Sequence, residues 1–117
     1  MKIVYIAHPI SGAVEANKIR ISEIGRELFL QGEVIPFCPY FFTLSCLDDN
    51  HPRSREIGMR SNEELFKRKA FDQLWLYGDR VTTGMKREVA LAEKYGIIVV
   101  PKTDETSDWY LSHIADE

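Results

Sequence analysis

Four short apolar runs, separated by segments with helical periodicity, constrain the fold of this chain most strongly. The runs are KIVYIA (residues 2–7), EVIPF (33–37), QLWLY (73–77) and IIVV (97–100). Short runs that are rich in β-branched or aromatic side chains are typical of strands buried in a parallel sheet. Strands that alternate with helices form right-handed βαβ units, so the sequence predicts an α/β fold with helices on both faces of the sheet.

The segments between the strands are predicted from helical spacing and from breaking residues. The predicted helices are 13–31, ended by Gly32; 55–69; the segment from the GDRVTTG loop to Gly96; and 108–114. Residues 36–53 are predicted to form a loop. The breaking residues in that segment are Pro36, Pro39, Pro52 and the cluster Asp48, Asp49 and Asn50.

The architecture predicted for residues 1–117 is a single-domain Rossmann-like or flavodoxin-like three-layer sandwich with a parallel sheet of strand order 2-1-3-4. In such sheets ligands bind outside the carboxyl ends of the strands, at the point where the strand order reverses. That point lies between the first and third strands. The loops that leave these strands are HPISG (8–12) and GDRVTTG (78–84), so a functional site is predicted between them.

Length and composition exclude several classes of protein. A chain of 117 residues, 44% hydrophobic and 28% charged, suits one ordinary globular domain. Its net charge of −3 gives no general attraction to nucleic acid or to an anionic membrane, so any phosphate site must be local. No apolar run is long enough to span a membrane, and MKIVYIAHP breaks too early for a signal peptide, so the sequence predicts a cytoplasmic protein.

The two cysteines, Cys38 and Cys46, are predicted to be buried thiols in a reducing compartment. They have no CxxC spacing and no histidine at ligand spacing, so neither a metal site nor a redox pair is predicted.

Glu88 lies on an unexpected face of its predicted helix. At 100° per residue, Met85, Val89 and Ala92 form an apolar stripe, and Glu88 is the only charged residue within that arc. A carboxylate on the inner face of a helix indicates either a functional group or a structural ion pair, for which Arg60 and Arg20 are candidates.

The TTGM segment, residues 82–85, precedes Glu88 at the helix start. Free backbone N–H groups and the helix dipole stabilise an anion at such a position, and the Thr82 or Thr83 hydroxyl could add a hydrogen bond. Gly84 allows close approach of the ligand, and Met85 adds a backbone amide. The alternative is an ordinary helix cap made by Thr83.

The first loop offers further candidates. Tyr5 and His8 lie at the exit of the first strand, and Ser11 and Gly12 follow in the loop. Tyr5 could instead be core packing, and His8 a surface or capped residue. Asn17 shares the inner arc of the first helix, where it either anchors the loop or contacts a ligand, and buried amides more often serve backbone groups.

Two acidic positions further along the chain have structural explanations as well. Arg60 and Glu64 have the i, i+4 spacing of a helix ion pair, worth about 0.3–0.5 kcal/mol. Asp72 precedes the third strand and could simply terminate the helix before it.

The segments VYIAHPISG…N and AFDQLWLYGDRVTTGMKREVALAEKYGIIVV resemble the nucleoside 2-deoxyribosyltransferase-like superfamily, which includes small deoxynucleoside-monophosphate N-glycosidases. The resemblance covers the first strand and helix and then roughly residues 64–100; residues 36–60 are unmatched. Its motif is an aspartate that opens a strand, followed by a hydroxyl-x-Gly-x-x-x-Glu run into a helix. The corresponding residues here are Asp72, Thr82, Gly84 and Glu88.

The resemblance implies roles for particular residues. Glu88 would be the nucleophile, and Tyr5 would position it. Glu64 stands where the family usually has an aspartate, and would serve as the acid or orienting group. Thr82 resembles the serine that binds phosphate in the monophosphate hydrolases, and His8 stands where a small residue is usual.

Two functions follow as expectations. One is N-glycosidic bond cleavage or deoxyribosyl transfer on 2′-deoxynucleosides or their 5′-monophosphates, with no metal or organic cofactor. The other is a non-catalytic nucleotide-binding module on the same fold, since fold does not fix function. By analogy with the family, a homodimer or larger homo-oligomer is expected, with PYFF (39–42) or DWYLSHI (108–114) as contact surfaces.

Overall fold

The computed structural model describes residues 1–48 and 50–117. These residues contain four strands and five helices, which alternate along most of their length. In chain order they are β1 (Lys2–Ala7), α1 (Val14–Gln31), β2 (Val34–Phe37), α2 (Pro39–Cys46), α3 (Pro52–Lys67), β3 (Gln73–Leu76), α4 (Thr83–Tyr95), β4 (Ile98–Pro101) and α5 (Asp104–Ala115).

The four described strands form one parallel sheet in the order β2-β1-β3-β4, which confirms the predicted fold class and strand order. Strand β1 is central, pairing Tyr5 with Phe37 on one side and with Leu74 on the other. Pro36 is accommodated because β2 is an edge strand, where a missing N–H costs no ladder hydrogen bond.

Alternation along β1 divides the core into two layers. Val4 and Ile6 pack against Ile24 and Leu28 of α1 on one face of the sheet. Tyr5 and Ala7 face the opposite layer, whose buried members on the helices include Phe66, Met85, Val89 and Ala92. The predicted apolar stripe of α4 is therefore confirmed, and Glu88 lies beside it.

Helix α4 begins and ends at the residues that favour such boundaries. The Thr82 hydroxyl accepts a hydrogen bond from the Met85 amide at 3.2 Å, so Thr82 is the N-cap, one residue before the cap position predicted at Thr83. Gly96 ends the helix with φ +73°, a left-handed conformation that glycine adopts without strain.

The prediction that residues 36–53 form a loop is wrong for most of the segment. Residues 39–46 form α2, and α3 begins at Pro52. A proline at the first position of a helix needs no N–H partner, so Pro39 and Pro52 start helices here and do not interrupt them. Asp49, part of the predicted cluster of breaking residues, lies outside the described residues.

Two smaller predictions also require correction. Cys38 is partly buried, but Cys46 at the end of α2 is exposed, so the cysteines are not both buried. Glu64 pairs with Arg68, with Oε1 and Nε 2.9 Å apart, and not with Arg60. An i, i+4 pair is more favourable when the glutamate precedes its basic partner, as it does with Arg68.

Three contacts fix the HPISG loop after β1. The Asn17 side chain donates to the Ile10 carbonyl at 3.0 Å, which confirms the loop-anchoring interpretation of Asn17. Arg80 donates to the Ser11 carbonyl at 3.3 Å. Gly78, with φ +96°, lies so close to Pro9 that a Cβ atom would overlap the proline ring. The loop is therefore held from both α1 and the segment after β3.

No helix among the described residues is long and apolar enough to cross a membrane.

Candidate functional site

A cavity of about 910 Å³ opens at the carboxyl end of β1, walled by segments that follow β1, β2 and β3, near the point where the strand order reverses. This is the position that the topology predicts for a ligand, and the volume suits a small-molecule site. Its walls come from the HPISG loop, α2, α3 and the first turns of α4. The lining residues used below are His8, Ser11, Cys38, Arg55, Asn62, Thr82, Thr83, Gly84, Met85, Arg87 and Glu88.

Glu88 lines this cavity from the second turn of α4, which answers why a carboxylate lies beside the apolar stripe of the helix. Burial raises the pKa of its carboxyl group to about 7, while a hydrogen bond from Tyr5 and the charge of Arg87 act in the lowering direction. Neither Arg20 nor Arg60 forms an ion pair with Glu88; Arg20 pairs with Glu23 on its own helix. Glu88 therefore faces a cavity, and the pKa of its carboxyl group lies in the range used for catalysis near neutral pH.

Tyr5 connects β1 to Glu88. Its ring is buried between Phe66 and Phe71, with ring centroids 5.3 and 4.9 Å away, and its hydroxyl hydrogen-bonds the Glu88 carboxylate. Burial and the nearby Glu88 hold the pKa of Tyr5 well above its ordinary value, so the phenol keeps its proton and can donate a hydrogen bond to the Glu88 carboxylate. Tyr5 is thus both core packing and a partner of the carboxylate.

Asn62 of α3 completes this chain of contacts. As the amide is placed, its Oδ1 accepts a hydrogen bond from the Tyr5 hydroxyl at 3.1 Å. A hydroxyl carries one proton, and two acceptors lie beside that of Tyr5: Asn62 Oδ1 and the Glu88 carboxylate. The two ends of a carboxamide have the same shape, so an amide turned by 180° lets Asn62 donate to the Tyr5 oxygen. With the amide turned, Asn62 donates to Tyr5 and Tyr5 donates to Glu88, so the three side chains form a hydrogen-bond relay.

The first turn of α4 lies beside this relay. Thr82, Thr83, Gly84 and Met85 all line the cavity, as the sequence predicts for a phosphate site. The Met85 amide is occupied by the Thr82 hydroxyl, so the amides of Thr83 and Gly84 are the ones left for a ligand. Arg55 and Arg87 also line the cavity, which adds positive charge to the positive end of the helix.

The HPISG loop brings His8 and Ser11 into the lining. Gly12 follows with φ +93°, a turn conformation, and Asn17 is used to hold the loop. Gly12 and Asn17 therefore shape the loop, and neither is among the lining residues.

The structure does not bring Glu64 or Asp72 to the cavity. Glu64 is exposed on α3, where its hydrogen bond and ion pair with Arg68 lower its pKa. Asp72 lies at the opposite end of the sheet, where its carboxylate accepts the Ile3 amide at 2.8 Å and its own amide donates to the Ile3 carbonyl at 2.7 Å. Asp72 thus fixes the start of β3 beside β1.

Sequence reasoning missed Asn62, Arg55, Arg87 and Cys38. The helical spacing of α3 carried a usable signal for Asn62, because Asn62 shares a face with Leu65 and Phe66, which are turned inward. Cys38 follows β2 directly, so the topology places it at the same edge as His8. Burial raises the pKa of the Cys38 thiol to about 11, so it is a neutral lining group.

One group of side chains outside the cavity has the composition of a metal site. Potential ligand atoms of Glu93, His113 and Glu117 lie within 4.8 Å of one another. His113 Nε2 is 2.8 Å from the Glu93 carboxylate, and its ring stacks on Trp109 at 4.8 Å. The group has a sufficient explanation as a histidine–carboxylate contact that joins α4 to α5.

Replacing Tyr5 by phenylalanine will raise the pKa of Glu88 further. The phenol donates a hydrogen bond that favours the ionised carboxylate, so its loss leaves the burial effect less opposed. The titration midpoint of the Glu88 side-chain carbon, followed by ¹³C NMR, will move to higher pH. Tyr95→Phe is the control, because the Tyr95 hydroxyl bonds Glu63 outside the cavity. An unchanged midpoint in Tyr5→Phe would contradict the contact.

Comparison with known proteins shows which family the chain belongs to. No curated protein matches the chain. The family described as a domain of unknown function, DUF7768, matches residues 2–101, which include all four strands, α1–α4 and the whole lining of the cavity. The chain therefore belongs to the DUF7768 family.

Proposed function

We propose that this protein cleaves the N-glycosidic bond of 2′-deoxynucleosides or their 5′-monophosphates, with Glu88 as nucleophile. The observation that carries the proposal is the Glu88 carboxylate, hydrogen-bonded by Tyr5 and facing a cavity at the point where the strand order reverses. The resemblance to the nucleoside 2-deoxyribosyltransferase-like superfamily assigns the same two residues to the same roles.

The reaction needs a carboxylate that attacks the sugar and a proton for the departing base. Glu88 attacks C1′ of the sugar as the bond to the base breaks; the base leaves with the electron pair of that bond and takes a proton from solvent, and a covalent deoxyribosyl ester remains on Glu88. Water, or a second free base, then takes the sugar from Glu88. A pKa of about 7 leaves enough ionised carboxylate at neutral pH for attack, and burial keeps that carboxylate reactive.

The cavity also offers groups for a 5′-phosphate. The amides of Thr83 and Gly84 lie at the positive end of α4, and Arg55 and Arg87 line the same space. Apart from Glu88, the charged side chains of the described lining are those of the cationic Arg55 and Arg87. This charge distribution supports a monophosphate over an unphosphorylated nucleoside.

A second function, a non-catalytic nucleotide-binding module, is favoured by one observation. Glu64 lies outside the cavity, so the described lining has Glu88 as its single carboxylate. In that case Glu88 would accept a hydrogen bond from a sugar hydroxyl, and the same cationic groups would hold the phosphate.

Incubation with a panel of deoxynucleosides and deoxynucleoside monophosphates separates the two functions. Each substrate is tested with and without a second free base, and chromatography measures released or exchanged base. We expect base release, faster from the monophosphates. Binding of a nucleotide with no release from any substrate would overturn the enzyme proposal and support the binding module.

Location and assembly belong to the same proposal. Cys38 and Cys46 are both free thiols, which suits the reducing cytoplasm. The expected homo-oligomer stays a prediction; the two segments expected to form contacts expose Phe42 on α2 and Leu111 and Ile114 on α5.

A further inference from the structure

His8 is the first side chain after β1 and lines the cavity together with Glu88. It is partly buried, and its backbone is held between elements that do not belong to its own loop. Pro9 packs against Gly78, and the carbonyl groups of Ile10 and Ser11 accept hydrogen bonds from Asn17 and Arg80. The imidazole therefore lies on a fixed segment of backbone. A catalytic acid or base needs such a position, because it must act at a defined distance from the substrate.

The tautomer of His8 follows from its one hydrogen bond. Nδ1 lies 2.7 Å from the Pro9 carbonyl oxygen, which can only accept, so Nδ1 carries the proton. Nε2 then has the lone pair of the neutral ring, and no described residue donates a hydrogen bond to it. His8 thus presents a fixed ring with one free basic nitrogen.

Several groups around His8 determine its charge. Burial lowers the pKa of His8 below its ordinary value, and the charges of Arg20 and Arg80 act in the same direction. The hydrogen bond to Pro9 and the charge of Asp79 act in the raising direction. The net lowering leaves the ring neutral at pH 7, where it can accept a proton.

Other titratable side chains of the described lining are less suited to accept one. The guanidinium groups of Arg55 and Arg87 offer donors and no acceptor, and the raised pKa of Cys38 keeps it a thiol. Glu88 is needed as the nucleophile. His8 is the remaining base in this part of the cavity.

We propose that His8 is the general base for hydrolysis of the deoxyribosyl ester on Glu88, so that the protein transfers the sugar to water. This inference rests on the proposed function. A water oxygen bonds to C1′ as one of its protons passes to His8 Nε2. The bond between C1′ and the Glu88 oxygen breaks, and its electron pair returns to the carboxylate. Free deoxyribose, or its 5-phosphate, leaves, and the imidazolium returns its proton to solvent.

The variant His8→Asn tests this step. The asparagine amide nitrogen can occupy the position of Nδ1 and keep a donor for the Pro9 carbonyl, but the side chain has no basic nitrogen. We expect rapid release of one equivalent of base per active site, followed by turnover reduced by about 10²- to 10⁴-fold, the usual effect of a general base. Quench-flow with chromatography measures both phases.

Azide provides the matched control, because it attacks C1′ without losing a proton. Added azide should restore turnover of His8→Asn and yield a deoxyribosyl azide, and imidazole should partly restore hydrolysis in His8→Ala. Thermal unfolding of both variants verifies that they are folded.

Each outcome separates the inference from the function on which it rests. Two results would overturn the role of His8 alone. One is turnover of His8→Asn at the wild-type rate. The other is a folded variant that loses both the initial release of base and turnover and that azide does not rescue. If the wild-type protein releases no base from any substrate, the proposed function and this inference both fail.

Discussion

Glu88→Gln will lose base release almost completely while it still binds nucleotide. A glutamine amide cannot attack C1′, and removal of a nucleophile from a catalytic group lowers kcat on the order of 10⁴- to 10⁶-fold. The substitution keeps the shape of the side chain, so we expect nucleotide affinity to change by less than about tenfold. Base release is measured by chromatography, and affinity by titration calorimetry with a deoxynucleoside monophosphate.

Glu64→Gln is the informative comparison for this result. Glu64 is exposed and pairs with Arg68, so its loss removes a surface ion pair and leaves the cavity unchanged. We expect near-wild-type turnover. A large loss of activity in Glu64→Gln, or base release by Glu88→Gln close to that of the wild type, would contradict the assignment of the site.

The second prediction concerns stability. Glu88→Gln will be more stable than the wild type at pH 8 and about equally stable at pH 4. Burial raises the pKa of Glu88 from an ordinary 4.5 to about 7, so between these values the folded state holds a proton that the unfolded state has released. The free energy of unfolding of the wild type therefore falls as pH rises through this range, by at most roughly 3 kcal/mol. Glutamine does not ionise and avoids this loss.

Urea denaturation of both proteins at pH 4, 6 and 8 measures the difference. Glu56→Gln is the matched control, because Glu56 is exposed on α3 and does not line the cavity, so its difference from the wild type should vary little with pH. A constant difference between Glu88→Gln and the wild type across this range would contradict the burial of the Glu88 carboxyl group. A stabilising substitution at this residue would also agree with a carboxylate kept for function at a cost in stability.

The sheet and the position of Glu88 could be predicted from the sequence for physical reasons. Each strand is a short apolar run, and parallel strands joined by helices allow few topologies, so the edge of the sheet that carries the cavity follows from strand order alone. Glu88 can be identified because α4 has a clear apolar stripe, and Glu88 is the one charged residue within the apolar arc of that helix. The same reasoning places residues 82–85 at the cavity and Tyr5 near it; in the structure Tyr5 is buried behind the lining and contacts Glu88.

Asn62, the polar residue of α3 that contacts Tyr5, could not be predicted in the same way. The apolar periodicity of α3 is weak, so the sequence does not show which face of the helix is turned inward, and the family motif points to Glu64. Residues two apart on a helix differ by about 200° in direction, which is why Asn62 faces Tyr5 while Glu64 faces solvent. Helix α2 is not predicted for another reason: PYFFTLSC has no side-chain cap, and a proline there is as typical of a loop as of a helix start.

The most direct measurement of the central claim is detection of the sugar on Glu88. A deoxynucleoside monophosphate with fluorine at C2′ slows both steps, because fluorine destabilises the oxocarbenium-like transition state, and the ester then persists long enough for intact-protein mass spectrometry. The account predicts a mass increase of one sugar phosphate, located by peptide mapping to Glu88 and absent in Glu88→Gln. Release of base with no adduct, or with an adduct on another residue, would contradict it.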